Sequence, residues 1–221
     1  MSKFDLYSAV TQNRPYLNQF STVWDWEREP LNLLYSYAYR PPLDAYTNPR
    51  ADETPPRPRQ SMLDSGAFTM WSTGREFTVD QYIEYIREVG ADTFTEIIGL
   101  DKVGDAEFTL KNCRKMRDAL GRDVVPVFHI GEDFKWLKRY AKEFDKVGLS
   151  CRFGESFKQS HHFYDSCFYH AWPCKFHSFG WATEEVLSRN PFQSADSSSF
   201  MTSGLRYGNW KSLKKIGRAH V

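Results

Sequence analysis

Short apolar runs alternate with amphipathic segments along most of this chain. Such runs, bounded by turn residues and rich in Val, Ile and aromatic side chains, are typical of buried strands. The first run precedes the helix-breaking pair Pro41-Pro42, and most of the others are followed by a polar residue. The pattern predicts strands over residues 32–39, 61–63, 94–100, 124–128, 146–149, 175–179 and 192–195.

The segments between these strands carry helix start and stop signals. Thr78 begins a sequence with the capping-box spacing, and apolar residues continue a helix from there to Gly90. Asp105 is a predicted N-cap of a helix that Gly121 ends. Further helices are predicted over residues 133–144 and 183–189.

Strand and helix therefore alternate, which implies parallel strands joined by crossover helices. Neither a dinucleotide-type glycine motif nor a phosphate-binding loop follows any predicted strand. The predicted fold class is α/β, and a (βα)8 TIM-type barrel is favoured over an open sheet. A chain of 221 residues is long enough for one such domain.

The two ends of the chain depart from this alternation. Most prolines fall before residue 60, so residues 1–59 are predicted to contain the N-terminal strand over 32–39 and a Pro-rich arm, Pro41 to Arg59, as part of the barrel domain. Residues 60–215 are predicted to hold the barrel βα units. Residues 216–221 follow no preceding pattern, and we expect a non-native tail on a barrel truncated at its C-terminus; the alternative is an ordinary basic tail.

Composition narrows the class of protein. The chain is 41% hydrophobic and 26% charged, has a net charge of +1, and contains no apolar run long enough to span a membrane. Its first residues lack the apolar stretch of a secretory signal, and four scattered cysteines suit a reducing compartment. We expect a cytoplasmic protein of a bacterium or of a phage-infected cell.

Four polar residues lie where predicted strands end: Asp64, Asp101, His129 and Asp196. In a parallel barrel these ends converge on one face, where catalytic groups gather. Two carboxylates in one cavity can act as nucleophile and proton shuttle at a sugar carbon. A third carboxylate can accept hydrogen bonds from the two N–H donors on the pairing edge of guanine. Adenine has no such pair of donors, so this contact would select guanine. Each Asp could instead be a turn or cap residue.

Several segments resemble a known family. Residues 62–68, Met-Leu-Asp-Ser-Gly-Ala-Phe, resemble the D-S-G-G-F segment of the tRNA-guanine transglycosylase superfamily, and more closely the L-D-S-G-A-F of its DNA-modifying DpdA (deoxypurine in DNA) branch. Further similarities follow in the same order over about residues 31–200. They are G-L-D at 99–101, P-V-F-H-I-G at 126–131, V-G-L-S at 147–150, H-S-F-G at 177–180 and S-A-D-S-S at 194–198.

The resemblance implies exchange of guanine in DNA for a 7-deazaguanine base on a (βα)8 barrel. It implies that Asp196 is the nucleophile that holds a covalent intermediate, and that Asp64 is the general acid and base. It further implies that Asp101 hydrogen-bonds to the pairing edge of the base. The other implied substrate-binding residues are His129, Ser65, Gly66, Phe68, Gly148 and Gly180.

The resemblance also has departures. RNA-acting members carry a C-x-C-x2-C…H zinc site after the nucleophile strand, and no cysteine follows Asp196 here. No cofactor is therefore expected from the residues present, and zinc stays open. RNA-acting members also have glutamine where this chain has His129. The alternatives are a tRNA-guanine transglycosylase, a non-catalytic base-binding relative, and a barrel metal hydrolase with Asp64, Asp101, His129 and His177 as ligands.

Three other groups have a functional and a structural interpretation. Cys167/His170 and Cys174/His177 form two C-x2-H pairs, which are more typical of reduced cysteines and surface histidines in an insertion than of zinc ligands. Two groups of basic residues could contact phosphates, or they could simply face solvent. Three aromatic residues could stack on a flipped base, or they could pack in the core. These residues are Arg57, Arg59, Lys211, Lys214 and Lys215, and Phe68, Trp71 and Trp181.

Overall fold

The computed structural model describes residues 4–9, 31–39, 59–151 and 157–198. Eight parallel strands form one sheet in the order β4-β3-β2-β1-β8-β7-β6-β5. The strands are β1 (Asp5–Ala9), β2 (Asn32–Ser36), β3 (Gln60–Asp64), β4 (Glu96–Ile97), β5 (Val127–His129), β6 (Lys146–Ser150), β7 (Lys175–Phe179) and β8 (Ser194–Ser197). The helices are α1 (Ala67–Thr73), α2 (Val79–Val89), α3 (Ala106–Leu120), α4 (Phe134–Glu143), α5 (Phe157–Ala171) and α6 (Glu184–Arg189).

The two outer strands of this order meet and close the ring. Ile98, just after β4, forms a parallel bridge with Val125, just before β5. The Gly99 N–H donates to the Val125 carbonyl at 2.9 Å, and the Val125 N–H donates to the Ile97 carbonyl at 2.9 Å. The chain is therefore a (βα)8 barrel, which confirms the predicted fold class.

Side chains alternate between the inside of the barrel and the layer beneath the helices, as the two-residue period of a strand requires. The interior cluster consists of Tyr7, Leu34, Met62, Ile98, Val125 and Val127. The residues between them along the strands, such as Leu33, Leu63 and Phe128, pack against the helices in a larger core. Strand ends can therefore aim polar side chains into the barrel mouth.

The predicted caps are confirmed. Thr78 and Gln81 form a reciprocal capping box at the start of α2. The Asp105 carboxylate accepts from the Phe108 N–H at the start of α3, which Gly121 ends in a left-handed conformation. These local interactions fix where the crossover helices begin and end.

Five elements differ most from the sequence prediction. The predicted strand over 32–39 ends at Ser36 and continues as a 3-10 turn, and only Glu96–Ile97 of the run 94–100 is regular strand. The pattern missed β1, α1 and α5. The interpretation of the C-x2-H segment as an insertion was wrong, because α5 is the crossover helix between β6 and β7 and Cys167 is buried in the core.

Several predictions fall outside the described residues. They concern residues 41–58 of the Pro-rich arm, Lys211, Lys214 and Lys215, and the tail at 216–221. In the part of the chain that the structure describes, no helix is long and apolar enough to cross a membrane.

Candidate functional site

The four polar strand-end residues come together at the carboxyl face of the barrel. Asp64 ends β3, Asp101 follows β4, His129 ends β5 and Asp196 lies on β8. Asp101 and His129 are in direct contact, and Asp101 and Asp196 both act electrostatically on Asp64. The convergence predicted from the alternation of strands and helices is therefore present.

Asp101 is held by two neighbours. Its Oδ1 accepts a hydrogen bond from the Ser65 hydroxyl at 2.7 Å, and its Oδ2 lies 2.8 Å from Nε2 of His129. The Asp101 side chain is almost fully buried, as are both partners. Each carboxylate oxygen can accept a second hydrogen bond, so Asp101 is fixed in place and still able to bind a ligand donor.

His129 is held by the turn that follows it. Its backbone N–H donates to Oε2 of Glu132 at 3.1 Å, and the side chain of Glu132 is largely withdrawn from water. Burial raises the pKa of Glu132, while the nearby His129 opposes that rise. Sequence reasoning missed Glu132, although its place three residues after a strand-end histidine is a signal for such a turn.

Asp64 has the most perturbed carboxyl group of the site. Burial, assisted by repulsion from Asp101 and Asp196, raises the pKa of Asp64 to about 7. The Gly66 N–H, which donates to Oδ2 at 3.0 Å, and the Ser36 hydroxyl oppose the rise in this pKa. A carboxyl group of this kind can both give and take a proton near neutral pH.

Gly66 makes this turn possible. Its φ is +80°, a left-handed conformation that favours glycine, and a Cβ there would lie 2.4 Å from Cβ of Ala38. The turn begins α1, which carries Phe68 and Trp71 with their rings 5.9 Å apart. Both rings are more than half exposed, so the core-packing interpretation fails for them. Trp181 packs partly against the outer core instead.

Asp196 is fixed through its inner oxygen. The Gly180 N–H donates to Oδ1 at 3.0 Å, and Nε2 of His177 lies 3.4 Å from the same atom. Gly180 has a φ of +73°, which turns its N–H toward the strand end. The second oxygen, Oδ2, is not used in these contacts.

Gly148 lies at the centre of the neighbouring strands, opposite Val127 on β5 and His177 on β7. A Cβ at Gly148 would come within 2.4 Å of the Phe179 ring, so the absent side chain makes room for that ring. The sequence analysis includes both residues in the H-S-F-G segment but assigns a role only to His177, as a metal ligand of the hydrolase alternative. Alternation along β7 indicates both, because it places residues 175, 177 and 179 on one side of the strand.

Arg59 does not belong to this site. It precedes β3 and so lies at the amino end of the barrel, where it pairs with Asp5 and donates to Asn32. The interpretation of Arg59 as a phosphate contact stays a prediction, for a position away from the strand-end carboxylates.

Among the residues that the structure describes, no group of three or more His, Cys, Asp or Glu is arranged to hold a metal ion. The four ligands of the metal-hydrolase alternative, Asp64, Asp101, His129 and His177, are therefore not arranged to bind a metal ion. The two C-x2-H pairs are not arranged to bind one either. Cys167 and His170 lie on α5, whereas His177 lies inside the barrel on β7.

Fold and site together define a (βα)8 barrel with a cluster of carboxylates at the carboxyl ends of its strands. No protein-family model and no curated protein matches the chain. Solved structures similar to it include tryptophan synthase α-subunits of the hyperthermophile Pyrococcus furiosus.

One mutant α-subunit has a TM-score of 0.55 and 14% identity, over 99% of this chain and 97% of that chain. A second mutant has a TM-score of 0.54 and 11% identity, over 99% and 96%. A chain of the tryptophan synthase complex from the same organism has a TM-score of 0.52 and 12% identity, over 99% and 97%. At these identities the likeness shows the fold alone.

Proposed function

We propose that this chain exchanges guanine in DNA for a 7-deazaguanine base through a covalent aspartyl-nucleotide intermediate. The observation that carries the proposal is that three carboxyl groups lie in three different environments at one barrel mouth. Asp64 has a pKa near neutrality, Asp196 is anchored through one oxygen, and Asp101 is held rigidly by two neighbours. The order of the resembling motifs along the chain supports the same roles.

In the first displacement, Oδ2 of Asp196 attacks the anomeric carbon of the flipped nucleotide. The bond between that carbon and Oδ2 forms while the bond to N9 of guanine breaks, and the bonding electrons leave with the base. Asp64, a substantial fraction of which is protonated at neutral pH because its pKa is raised to about 7, gives the departing guanine a proton.

The second displacement reverses this order. The Asp64 carboxylate takes a proton from N9 of the incoming 7-deazaguanine, which attacks the anomeric carbon as the bond to Oδ2 breaks. Asp196 returns as a carboxylate. One residue thus serves as acid and then as base, as in retaining glycosyl transfer.

Asp101 supplies the recognition of the base. Guanine and 7-deazaguanine present two adjacent N–H donors, and a carboxylate held in one orientation accepts both. The Ser65 and His129 contacts fix that orientation before the base arrives. The exposed ring of Phe68, on the helix after Asp64, is the side chain to which we assign stacking on nucleic acid at the mouth.

Release of labelled guanine tests the proposal. We expect the protein to release guanine from duplex DNA when a 7-deazaguanine is supplied, and Asp196→Asn to abolish release. Asp118→Asn, on the outer face of α3, is the matched control and should leave the rate unchanged. Release from tRNA alone would favour the RNA alternative, and release from neither substrate would overturn the proposed function. The setting we propose is the cytoplasm of a bacterial or phage-infected cell.

A further inference from the structure

A chain of buried polar side chains runs through the barrel interior to Asp196. Lys146 on β6 donates to Glu96 on β4 and, at 3.3 Å, to the Ser194 hydroxyl on β8. Oγ of Ser194 lies 2.9 Å from Nδ1 of His177, and Nε2 of His177 lies 3.4 Å from Oδ1 of Asp196. The proposed roles of the strand-end carboxylates leave the first four residues unused.

The hydrogen-bond donors along this row of polar side chains determine which nitrogen of His177 carries the proton. The Lys146 ammonium has only donors, so it occupies a lone pair of Ser194 and leaves the Ser194 hydroxyl proton free for Nδ1 of His177. A ring that accepts at Nδ1 carries its proton on Nε2 when neutral. Nε2 lies 3.4 Å from Oδ1 of Asp196 without forming a hydrogen bond to it, and the described residues give Nε2 no hydrogen-bond partner.

The ring of His177 has little freedom to turn away. The residue is fully buried, the Phe179 ring lies edge-on at 4.5 Å between ring centres, and the Tyr7 ring lies at 6.0 Å. Its strand neighbours add a further restraint, because Gly148 and Ser194 are paired with it in register. The direction of the Nε2–H bond is thus fixed by packing.

We propose that His177 is a positioning residue for the nucleophile Asp196. Resting on the proposed function, its role is to donate to Oδ1 once bound substrate shortens the 3.4 Å contact, so that His177 and the Gly180 N–H together hold Oδ1 and Oδ2 faces the anomeric carbon. When Oδ2 is esterified, Oδ1 becomes the carbonyl oxygen and keeps both donors. When the ester breaks, the same donors stabilise the carboxylate that leaves, so His177 acts on the chemical steps and not on substrate binding.

Two substitutions of similar size separate positioning from packing. In His177→Gln the side-chain amide reaches about as far as Nε2 and can donate to Asp196, whereas in His177→Asn the amide reaches only as far as Nδ1. We expect His177→Asn to lower kcat about 100-fold, the loss typical of one fixed donor, with KM within about twofold. His177→Gln should recover about tenfold or more of that loss. His161→Gln, a buried histidine of α5 outside the barrel, is the control and should leave kcat unchanged.

The 15N resonances of the His177 ring provide a readout that needs no activity. We expect the wild-type ring to carry its proton on Nε2, and Asp196→Asn to shift the Nε2 resonance more than the Nδ1 resonance. If the wild type exchanges bases and His177→Asn is as fast as His177→Gln, the positioning role is wrong and the proposed function stands. If Nε2 is coupled to Asp196 but the wild type exchanges no base in DNA or tRNA, the proposed function fails, and the catalytic role of His177 fails with it.

Discussion

Asp64 links the stability of the protein to pH. Its pKa is about 7 in the folded state against 3.8 ordinarily, so the folded protein holds a proton that the unfolded chain loses between these values. Stability from this group is therefore present below about pH 4 and is lost as pH rises to about 7. We expect Asp64→Asn to be more stable than the wild type at pH 8, by about 1–3 kcal/mol after allowance for solvent screening.

Urea unfolding of both proteins at pH 4 and pH 8 measures this difference. The comparison between the two proteins cancels the titration of carboxyl groups that do not interact with Asp64. Asp80→Asn, at an exposed position in the first turn of α2, serves as the control for removal of one carboxylate. An Asp64→Asn stability gain that is equal at the two pH values would contradict the raised pKa of Asp64.

Ser65 tests how rigidly Asp101 must be held. Ser65→Ala removes the 2.7 Å hydrogen bond to Oδ1 and leaves the His129 contact at Oδ2. A hydrogen bond to a charged group contributes about 1.5–3 kcal/mol, so we expect KM for the base to rise about tenfold or more. Ser72→Ala on the exposed end of α1 is the control. An unchanged KM would mean that His129 alone fixes Asp101.

The turn between β3 and α1 is the element that sets the position of Asp64. Gly66→Ala would force a left-handed alanine and place its Cβ against Ala38, whose backbone nitrogen would be 2.9 Å away. Gly74, at the other end of α1, has a similar φ of +69° but open space around it. We expect Gly74→Ala to lower the free energy of unfolding by about 1 kcal/mol and Gly66→Ala by clearly more.

Urea unfolding of the two variants checks this expectation, and the difference between them isolates the contact with Ala38 from backbone strain. Equal losses would mean that the segment around Ala38 moves aside freely. In that case Gly66 would be required only for its conformation.

Elements with local signals are the ones that the sequence predicts correctly. The capping box of α2 and the caps of α3 depend on residues within one turn, so the pattern places both helices to within a residue or two. β1 and α5 lack such signals. β1 is a five-residue strand paired on both sides by β2 and β8, and α5 is rich in Ser, His, Phe and Tyr, whose helix propensity is modest.

The same division applies to the site. The period of two and the strand ends predict Asp64, Asp101, His129 and Asp196 at one face, because those features are local. The partners of these residues depend on which strands lie side by side. The pairing of β7 with β8 brings His177 to Asp196, and the fold brings Ser65 and His129 to the two oxygens of Asp101. No spacing in one sequence encodes these neighbours.

At the scale of the whole molecule, the barrel is closed unevenly. Strands β4 and β5 meet at one isolated bridge, whereas most other neighbours share three or more paired residues. The Lys146–Glu96 ion pair crosses the interior from β6 to β4, and Lys146 also reaches Ser194 on β8. This buried connection therefore supplements the weakest junction of the ring.

A double-mutant cycle on this pair tests that role. Lys146→Met leaves the Glu96 carboxylate in the interior without its partner, and we expect a loss of about 3–5 kcal/mol in the free energy of unfolding. Glu96→Gln combined with Lys146→Met removes both charges, so most of that loss should be recovered. Arg189 and Asp165, an ion pair between α6 and α5 on the outer surface, form the control cycle and should couple by about 1 kcal/mol or less. A coupling inside the barrel as small as that of the surface pair would mean that the β4–β5 junction holds without help from Lys146.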